Sequence, residues 1–309
     1  MNEGRDEVTS AEQAQADHAA TRPLDLGVRH ISNWERFVAS FRRNRIALLG
    51  LVIVVLMALG AIFAPVLAPY DPLEPDYTAI QSPPSPAHPL GTDELGRDLL
   101  SRLLYGARIS LTIGFIGEGV SITIGMFLGA ISGWYGGWID DIVMRVTDMF
   151  FAIPSLMFLI VVVSIVEPGP VTIFMALGII GWPSEARMMR SQVLSIKEMD
   201  YIMAARAMGA STSRILFLHV LPNALAPMIV LGTLGVAGVI LAEAILSFLG
   251  LGIQIPIPSW GTMVNTGQNY IFTAWWYAIF PGLAIMLTVL GFNFLGDGLR
   301  DALDPTHYQ

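Results

Sequence analysis

Several apolar runs in this chain are long enough to cross a lipid bilayer as helices, and they constrain its fold more than any other feature. A helix that crosses about 30 Å of hydrocarbon needs about 20 mostly apolar residues. The first such run, "IALLGLVIVVLMALGAIFAPVLA", extends from Ile46 to Ala68. Comparable runs recur along the chain, and together they predict an all-α integral membrane protein.

The composition agrees with a surface that faces lipid. Only 14% of the 309 residues are charged, whereas a soluble domain carries about 25%. Dozens of polar residues precede the first apolar run. We therefore expect that run to be a retained anchor rather than the apolar core of a cleavable signal peptide.

Six membrane spans are predicted, and polar segments separate them. The predicted spans cover residues 46–68, 109–133, 143–166, 171–189, 224–250 and 275–295. The other predicted segments are a disordered acidic tail at 1–28, a basic segment at 29–45, external loops at 69–108 and 251–274, a cytoplasmic loop at 190–223 and a cytoplasmic tail at 296–309. In the fourth span, "GWPSEAR" interrupts the apolar pattern near the end.

Basic residues predict the orientation, because loops rich in lysine and arginine stay in the cytoplasm. Five arginines lie in the segment 29–45 directly before the first span: Arg29, Arg36, Arg42, Arg43 and Arg45. Five basic residues lie around the loop between the fourth and fifth spans: Arg187, Arg190, Lys197, Arg206 and Arg214. Both termini are therefore expected in the cytoplasm. The external loop at 69–108 is an exception, but acidic neighbours offset its arginines.

That external loop also contains a helical apolar pattern. In "LGTDELGRDLLSRLLYGARIS", Leu95, Leu99 and Leu103 recur every four residues among charged side chains. Such a pattern predicts an amphipathic helix that lies at the membrane surface.

The cytoplasmic stretch "YIMAARAMGASTSRILFLHVLPN" is too polar to cross lipid, yet it is patterned like folded structure. It predicts two short helices, the first ending at Gly209 and the second capped by Ser211. Ala204, Ala205 and Gly209 carry little side-chain bulk, so another protein could approach closely. An ordinary connecting loop is the alternative, although ordered loops longer than about 12–15 residues are usually functional.

The chain has no nucleotide site of the phosphate-loop kind. Its only lysine is Lys197, and Ile196 precedes it, whereas that motif requires a glycine before its lysine. If ATP drives this protein, another polypeptide must bind the ATP. Cysteine is absent and the five histidines are scattered, so we expect neither an enzyme nor a metal site. The net charge of −8 also argues against a nucleic-acid partner.

The cytoplasmic stretch resembles the signature E-A-A-x-x-x-G-x9-I-x-L-P of ATP-binding-cassette (ABC) importer permeases. The residues at the defined positions of the signature are Met203, Ala204, Ala205, Gly209, His219, Leu221 and Pro222. Methionine replaces the glutamate of the signature, and histidine replaces its isoleucine. The segments 88–111, 136–155, 242–261 and 293–305 are similar to one group, the second permease subunit of dipeptide, oligopeptide and nickel importers.

The resemblance implies a type I importer permease fold in the cytoplasmic membrane and a set of partners. These are a homologous permease subunit, two ATP-binding subunits that hold ATP and Mg, and an extracytoplasmic substrate-binding protein. It assigns docking of the ATP-binding subunit to Met203, Ala204, Ala205, Arg206, Gly209, His219, Leu221 and Pro222. The implied cargo is a dipeptide or oligopeptide. The alternatives are nickel or another small solute, and a stand-alone secondary transporter.

Two glutamates inside predicted spans need an explanation, because a charged residue at the bilayer centre costs at least about 2.5–3.5 kcal/mol. Glu118 lies about 9 residues, or about 14 Å, into the second span. It either lines the translocation path and contacts a peptide amino group or a cation, or packs against the partner subunit. Glu243, near the outer end of the fifth span, either faces the substrate entrance or has a structural role.

Overall fold

The computed structural model describes residues 33–166 and 169–303, and all regular elements in these two stretches are helical. The chain divides into two units, Met1–Phe37 and Val38–Gln309. The acidic tail predicted at 1–28 and the last residues of the predicted C-terminal tail lie outside the described residues. The predictions for those segments are therefore not tested.

Twelve α-helices are described. They are α1 Asn33–Arg43, α2 Arg45–Ile62, α3 Ala64–Leu67, α4 Leu99–Tyr135, α5 Gly137–Ala152, α6 Ser155–Ile165, α7 Pro170–Ile196, α8 Asp200–Ala207, α9 Thr212–Ile215, α10 Leu221–Phe248, α11 Trp260–Gly267 and α12 Trp276–Leu303. A π-helical turn, Leu216–Val220, joins α9 to α10, and a short 3₁₀ turn, Gln268–Tyr270, follows α11.

Small residues allow α4 and α7 to pack closely, and the two helices run in the same direction. Along α4, small residues recur every four positions: Gly117, Ser121, Gly125, Gly129 and Gly133. A methyl group added at Gly117 would lie 3.6 Å from Leu177, and one added at Gly133 would lie 2.9 Å from Val193. Close packing through small residues is typical of helices in lipid. Because α4 and α7 are parallel, the chain between them must return along their length.

The helix α10 packs against α4 in the opposite direction. Near one end of the contact, Ser110 donates a hydrogen bond to Glu243. Further along, a methyl group at Gly232 would overlap Ile122. The start of α10 therefore lies beside the later part of α4.

The helices α2 and α12 also run antiparallel, which brings the two ends of the described helical bundle together. Asn44 Nδ2 donates to Asp301 Oδ2 over 3.2 Å. A methyl group at Gly291 would lie 2.9 Å from Ile53 Cγ2. The beginning of α2 and the end of α12 consequently share one side of the bundle.

Four described helical stretches are long and apolar enough to cross a membrane. They are Arg45–Ile62, Leu99–Tyr135, Thr212–Phe248 and Trp276–Leu303. The helices α5 and α6 would add a fifth crossing if they form one span, although they are bent by 89°. The helix α7 does not meet the same apolar criterion.

The bend between α5 and α6 interrupts the single helix that the sequence predicts for the third span. Ile153 is extended there, with φ −103° and ψ 127°. Pro154 follows it, and a proline pushes the preceding residue out of the helical region. The local sequence "AIPS" therefore explains the break.

The external loop differs from the prediction of a separate amphipathic helix. Leu95 lies outside any helix, whereas Leu99 begins α4 and Leu103 lies on its second turn. The Asp98 side chain accepts from the Ser101 N–H at 2.8 Å and caps α4. The predicted surface helix is thus the first part of the long helix that contains the second span.

Ion pairs inside this loop account for its basic residues. Arg97 donates to Asp93 at 2.7 Å and to Glu94 at 2.9 Å, and Arg102 lies 3.2 Å from Asp93. Arg97, Arg102 and Asp93 are all buried. Two of the three arginines in this loop, Arg97 and Arg102, are therefore neutralised by acidic side chains of the same loop.

Candidate functional site

The loop predicted at 190–223 folds as a compact unit, and we call its residues 200–222 the docking knob. The helix α8 ends at Ala207, and Gly209 follows with φ 79°. Glycine adopts this left-handed conformation without steric cost. The Ser211 hydroxyl accepts from the Arg214 N–H and caps α9. The glycine stop and the serine cap that the sequence predicts are both confirmed.

An apolar cluster fixes the docking knob to the helix before it. The buried members of this cluster include Met189, Val193, Ile196, Ile202, Ala205, Ile215 and Val220. They come from α7, from α8 and from the turns that lead into α10. The docking knob is therefore packed against the spanning helices through a core of its own.

Two basic side chains of the loop strengthen this attachment by contacting the end of α4. Lys197 Nζ donates to the carbonyl oxygen of Gly133 over 3.0 Å. The guanidinium of Arg206 lies 4.5 Å from the centre of the Trp134 ring, a cation–π distance. Arg206, a predicted docking residue, thus already has a partner within the chain.

The second part of the docking knob continues into the fifth span without a break. The sequence predicts two short separate helices, but residues Thr212–Phe248 form one helical stretch. Pro222 lacks an N–H group and cannot donate to the carbonyl four residues before it. The π-helical turn comes immediately before this point, and Asn223 Nδ2 donates to the His219 carbonyl at 2.6 Å. The helix therefore continues through Pro222 without a break.

The predicted docking residues differ in exposure. Those that are exposed or half-buried are Met203, Ala204, Arg206, Gly209, His219, Leu221 and Pro222. Ala205 is only 7% exposed and packs into the cluster beneath the docking knob. The expectation that Ala205 offers an open surface is therefore not met, because α8 turns this face toward the protein.

Sequence reasoning missed three apolar side chains of the docking knob that are well exposed. Met208, Phe217 and Leu218 are 82%, 67% and 59% exposed. Phe217 and Leu218 are neighbours in the chain, and exposed apolar patches mark surfaces for another protein. The sequence does not show which apolar residues of these short helices are buried, because that depends on how the helices pack.

Glu243 is the centre of a buried network near the other end of the bundle. It is completely buried and accepts hydrogen bonds from Ser247 at 2.7 Å and from Ser110 at 3.3 Å. The Ser110 hydroxyl accepts in turn from the Trp260 N–H at 3.4 Å. These contacts connect α4, α10 and α11. In this conformation the geometry favours the structural role for Glu243 over a role at the substrate entrance.

Removing the Glu243 carboxyl should therefore reduce stability. We expect Glu243→Ala to lower the midpoint of thermal unfolding in detergent, because two buried serine hydroxyls lose their acceptor. Each unsatisfied buried group costs about 1–3 kcal/mol. Glu243→Gln retains an acceptor and should unfold near the wild-type temperature. Equal midpoints for the alanine variant and the wild type would contradict the structural role.

Glu118 lies within the chain rather than on an open surface. It is 4% exposed, and its carboxyl group occupies the space where a side chain at Gly235 of α10 would lie. Its Oε1 atom has no hydrogen-bond partner among the described residues. In this conformation the carboxyl group is thus covered by α10.

A second buried carboxyl group, that of Glu185, was not among the predicted site residues. It lies on α7, is 4% exposed, and its Oε2 atom has no hydrogen-bond partner in the described part of the chain. A methyl group at Gly125 of α4 would overlap the Glu185 side chain. The sequence places Glu185 at the interrupted end of the fourth span, where a polar residue resembles the start of a loop.

Comparison with family models places most of the chain in one transport family. Residues 123–306 match the binding-protein-dependent transport system inner membrane component family. Residues 32–84 match the N-terminal TM domain of oligopeptide transport permease C. The first match alone covers more than half of the chain.

Two relatives named as peptide transport permeases are similar over almost their whole length. The chain is 47% identical over 277 residues to the dipeptide transport system permease protein DppC of Escherichia coli, covering 88% of this chain and 92% of the relative. It is 44% identical over 280 residues to the oligopeptide transport system permease protein OppC of Bacillus subtilis, covering 91% and 92%.

A solved structure shows the same fold at lower sequence identity. A chain of the inward-facing MetNI methionine ABC transporter, in its CY5 native crystal form, superposes with a TM-score of 0.53 at 21% identity. The match covers 65% of this chain and 96% of that chain. It supports the helical architecture described above.

Proposed function

The chain belongs to the family of binding-protein-dependent transport system inner membrane components, and we propose that it is the permease subunit of an ABC importer for dipeptides or oligopeptides. The names of the similar relatives support this substrate class. In this proposal the chain lies in the cytoplasmic membrane and pairs with a homologous permease subunit. An extracytoplasmic binding protein delivers the peptide, and two separate subunits bind ATP and Mg.

We further propose six membrane crossings with both termini in the cytoplasm. The parallel arrangement of α4 and α7 supports this count, because the bent pair α5 and α6 must return the chain between them. The hydrogen bond between Asn44 and Asp301 supports placing both ends of the bundle on one side. The basic residues near Arg45 favour the cytoplasm for that side.

The observation that carries the docking proposal is the rigid attachment of the docking knob. Its first helix rests on α7 through a buried cluster, and its second part is continuous with α10. A displacement imposed by an ATP-binding subunit would therefore reach α10 without a flexible joint. This continuity suits a permease that ATP hydrolysis elsewhere drives between its inward-open and outward-open states.

The exposed apolar surface of the docking knob gives a direct test. We expect Met208→Ala to weaken retention of the ATP-binding subunits about tenfold, since burying a methionine side chain contributes about 1.5–3 kcal/mol. The measurement is the amount of ATP-binding subunit that co-purifies with the tagged permease through a detergent wash.

Met149 serves as the matched control. It is 65% exposed, lies on α5 and is outside the docking knob. Met149→Ala should retain the ATP-binding subunits as the wild type does. Equal retention in the Met208 and wild-type samples would exclude Met208 from the interface. A complex that contains no ATP-binding subunit even with the wild-type chain would contradict the proposed function itself.

A further inference from the structure

Two carboxyl groups are buried where α4, α7 and α10 meet. Glu118 and Glu185 are each 4% exposed, and each has one carboxyl oxygen without a hydrogen-bond partner among the described residues. Leaving a buried polar group unsatisfied costs about 1–3 kcal/mol, and more for a charged group. Two such groups on adjacent helices are a costly feature of the fold, and ionisable residues inside membrane spans point to a functional site.

The two glutamates lie at nearby levels of the α4–α7 contact. Glu185 lies opposite Gly125, which follows Glu118 by two turns on α4. Side chains on a helix lean toward its N-terminus, so the Glu185 side chain leans toward the level of Glu118. Between those levels, the Ser121 hydroxyl donates to the Gly178 carbonyl across the α4–α7 contact at 2.9 Å.

Neither carboxyl group has a counter-charge in the described part of the chain. The two arginines that follow Glu185 on α7 are engaged elsewhere: Arg187 donates to Asp148 at 2.5 Å, and Arg190 donates to Asp140 at 2.5 Å. Among the described residues, no ion pair includes Glu118 or Glu185. A positively charged ligand would therefore have both acceptors to itself.

We propose that Glu118 and Glu185 together form an intramembrane site for the positively charged amino group of the transported peptide. This inference rests on the proposed function and adds a ligand group and a second acidic residue to it. An ammonium group offers three donors and no acceptor, which matches two carboxyl groups with free oxygens. Helix α10 covers Glu118 through Gly232 and Gly235. A separation of α10 from α4 at this level would open the site.

Carboxyl labelling of the whole importer in lipid nanodiscs tests binding. Dicyclohexylcarbodiimide modifies protonated carboxyl groups in apolar surroundings: the acid proton passes to a carbodiimide nitrogen, and the carboxyl oxygen bonds to the central carbon. The adduct then rearranges to a stable N-acylurea, which mass spectrometry locates. We expect labelling of Glu118 or Glu185. Alanyl-alanine should protect the labelled residue, whereas N-acetyl-alanyl-alanine should not.

The other outcomes of the labelling experiment overturn the proposal. Equal protection by sodium chloride would identify a site for a simple cation. Equal protection by the acetylated peptide would show that the amino group is not recognised. Absence of labelling at both residues would show that neither carries a protonated carboxyl group that the reagent can reach. Labelling that no ligand changes would leave the two carboxyl groups as packing residues.

Transport provides the second arm of the test. We expect Glu118→Gln and Glu185→Gln each to lower the rate of alanyl-alanine uptake at saturating peptide about tenfold, the effect of losing one charge-assisted hydrogen bond. Because glutamine has the shape of glutamate, the yield of assembled complex should not change. Glu74→Gln is the matched control, since Glu74 is exposed in the external loop.

The uptake measurements distinguish a failure of the amino-group site from a failure of the proposed function. If the wild-type complex imports the dipeptide and both glutamine variants import it at the wild-type rate, the amino-group site is excluded and the proposed function stands. If the wild-type complex, supplied with ATP and its binding protein, imports no peptide, the proposed function fails first, and the site fails with it.

Discussion

Gly209→Trp is expected to abolish ATP-driven uptake while the protein still inserts and assembles with its sister permease. Gly209 has φ 79°, and no atom lies within 4 Å of the position of an added methyl group. Tryptophan would therefore strain the backbone and project a large ring from the exposed side of the docking knob. Both effects would prevent close approach of the ATP-binding subunit. The measurements are peptide uptake in vesicles and the amount of ATP-binding subunit in the purified complex.

Gly209→Asn is the control that separates strain from bulk. Asparagine enters the left-handed region more readily than other residues with a side chain and adds little volume. This variant should retain most of the uptake. Uptake at the wild-type rate in the Gly209→Trp variant would show that the docking knob is not part of the coupling mechanism.

Gly129→Val is expected to prevent recovery of a folded, monodisperse protein. A methyl group at Gly129 would lie 2.8 Å from Met189 Cβ and would overlap the backbone of Ala186. Overpacking costs about 1–3 kcal/mol when side chains can adjust, and a backbone contact leaves α4 and α7 less room to adjust. The two helices would separate along the row of small residues. Size-exclusion chromatography and the thermal unfolding midpoint in detergent measure the effect.

Gly119→Val is the control on the same helix. Gly119 is exposed, and no atom lies within 4 Å of an added methyl group. Helix propensity does not favour glycine over valine, so this variant should be recovered like the wild type. A stable Gly129→Val protein would show that the close approach of α4 and α7 is not needed for the fold.

Local sequence signals predicted those features that depend on local chemistry. The glycine stop at Gly209 and the cap at Ser211 follow from the conformations that these residues prefer. The neutralisation of Arg97 follows from its acidic neighbours, and the structure pairs it with Asp93 and Glu94. In each case the deciding interaction lies within a few residues of the chain.

Local sequence signals do not predict the features that depend on tertiary packing. Ala204 and Ala205 are adjacent and chemically identical, yet only Ala205 faces the cluster beneath the docking knob. Glu185 becomes notable only when α7 lies beside α4 and Gly125 faces it. Helix phase and helix pairing decide both outcomes, and neither is visible in a single apolar pattern.

Pro154 is visible in the sequence, yet the apolar run around it predicts an unbroken span at 143–166. An apolar run of sufficient length predicts a crossing even when a proline divides it, because the length criterion counts residues and not helical continuity. The structure bends the chain by 89° between α5 and α6. The residue before the proline, rather than the length of the run, determines where the helix ends.

The most direct test of the central claim measures solute accumulation in lipid vesicles, with the purified chain alone and with the complete set of subunits. The chain has no phosphate-binding loop of its own, so the account predicts no accumulation by the chain alone. It predicts ATP-dependent peptide uptake once the sister permease, the two ATP-binding subunits and the binding protein are present. Accumulation against a gradient by this chain alone, without any ATP-binding subunit, would contradict the account.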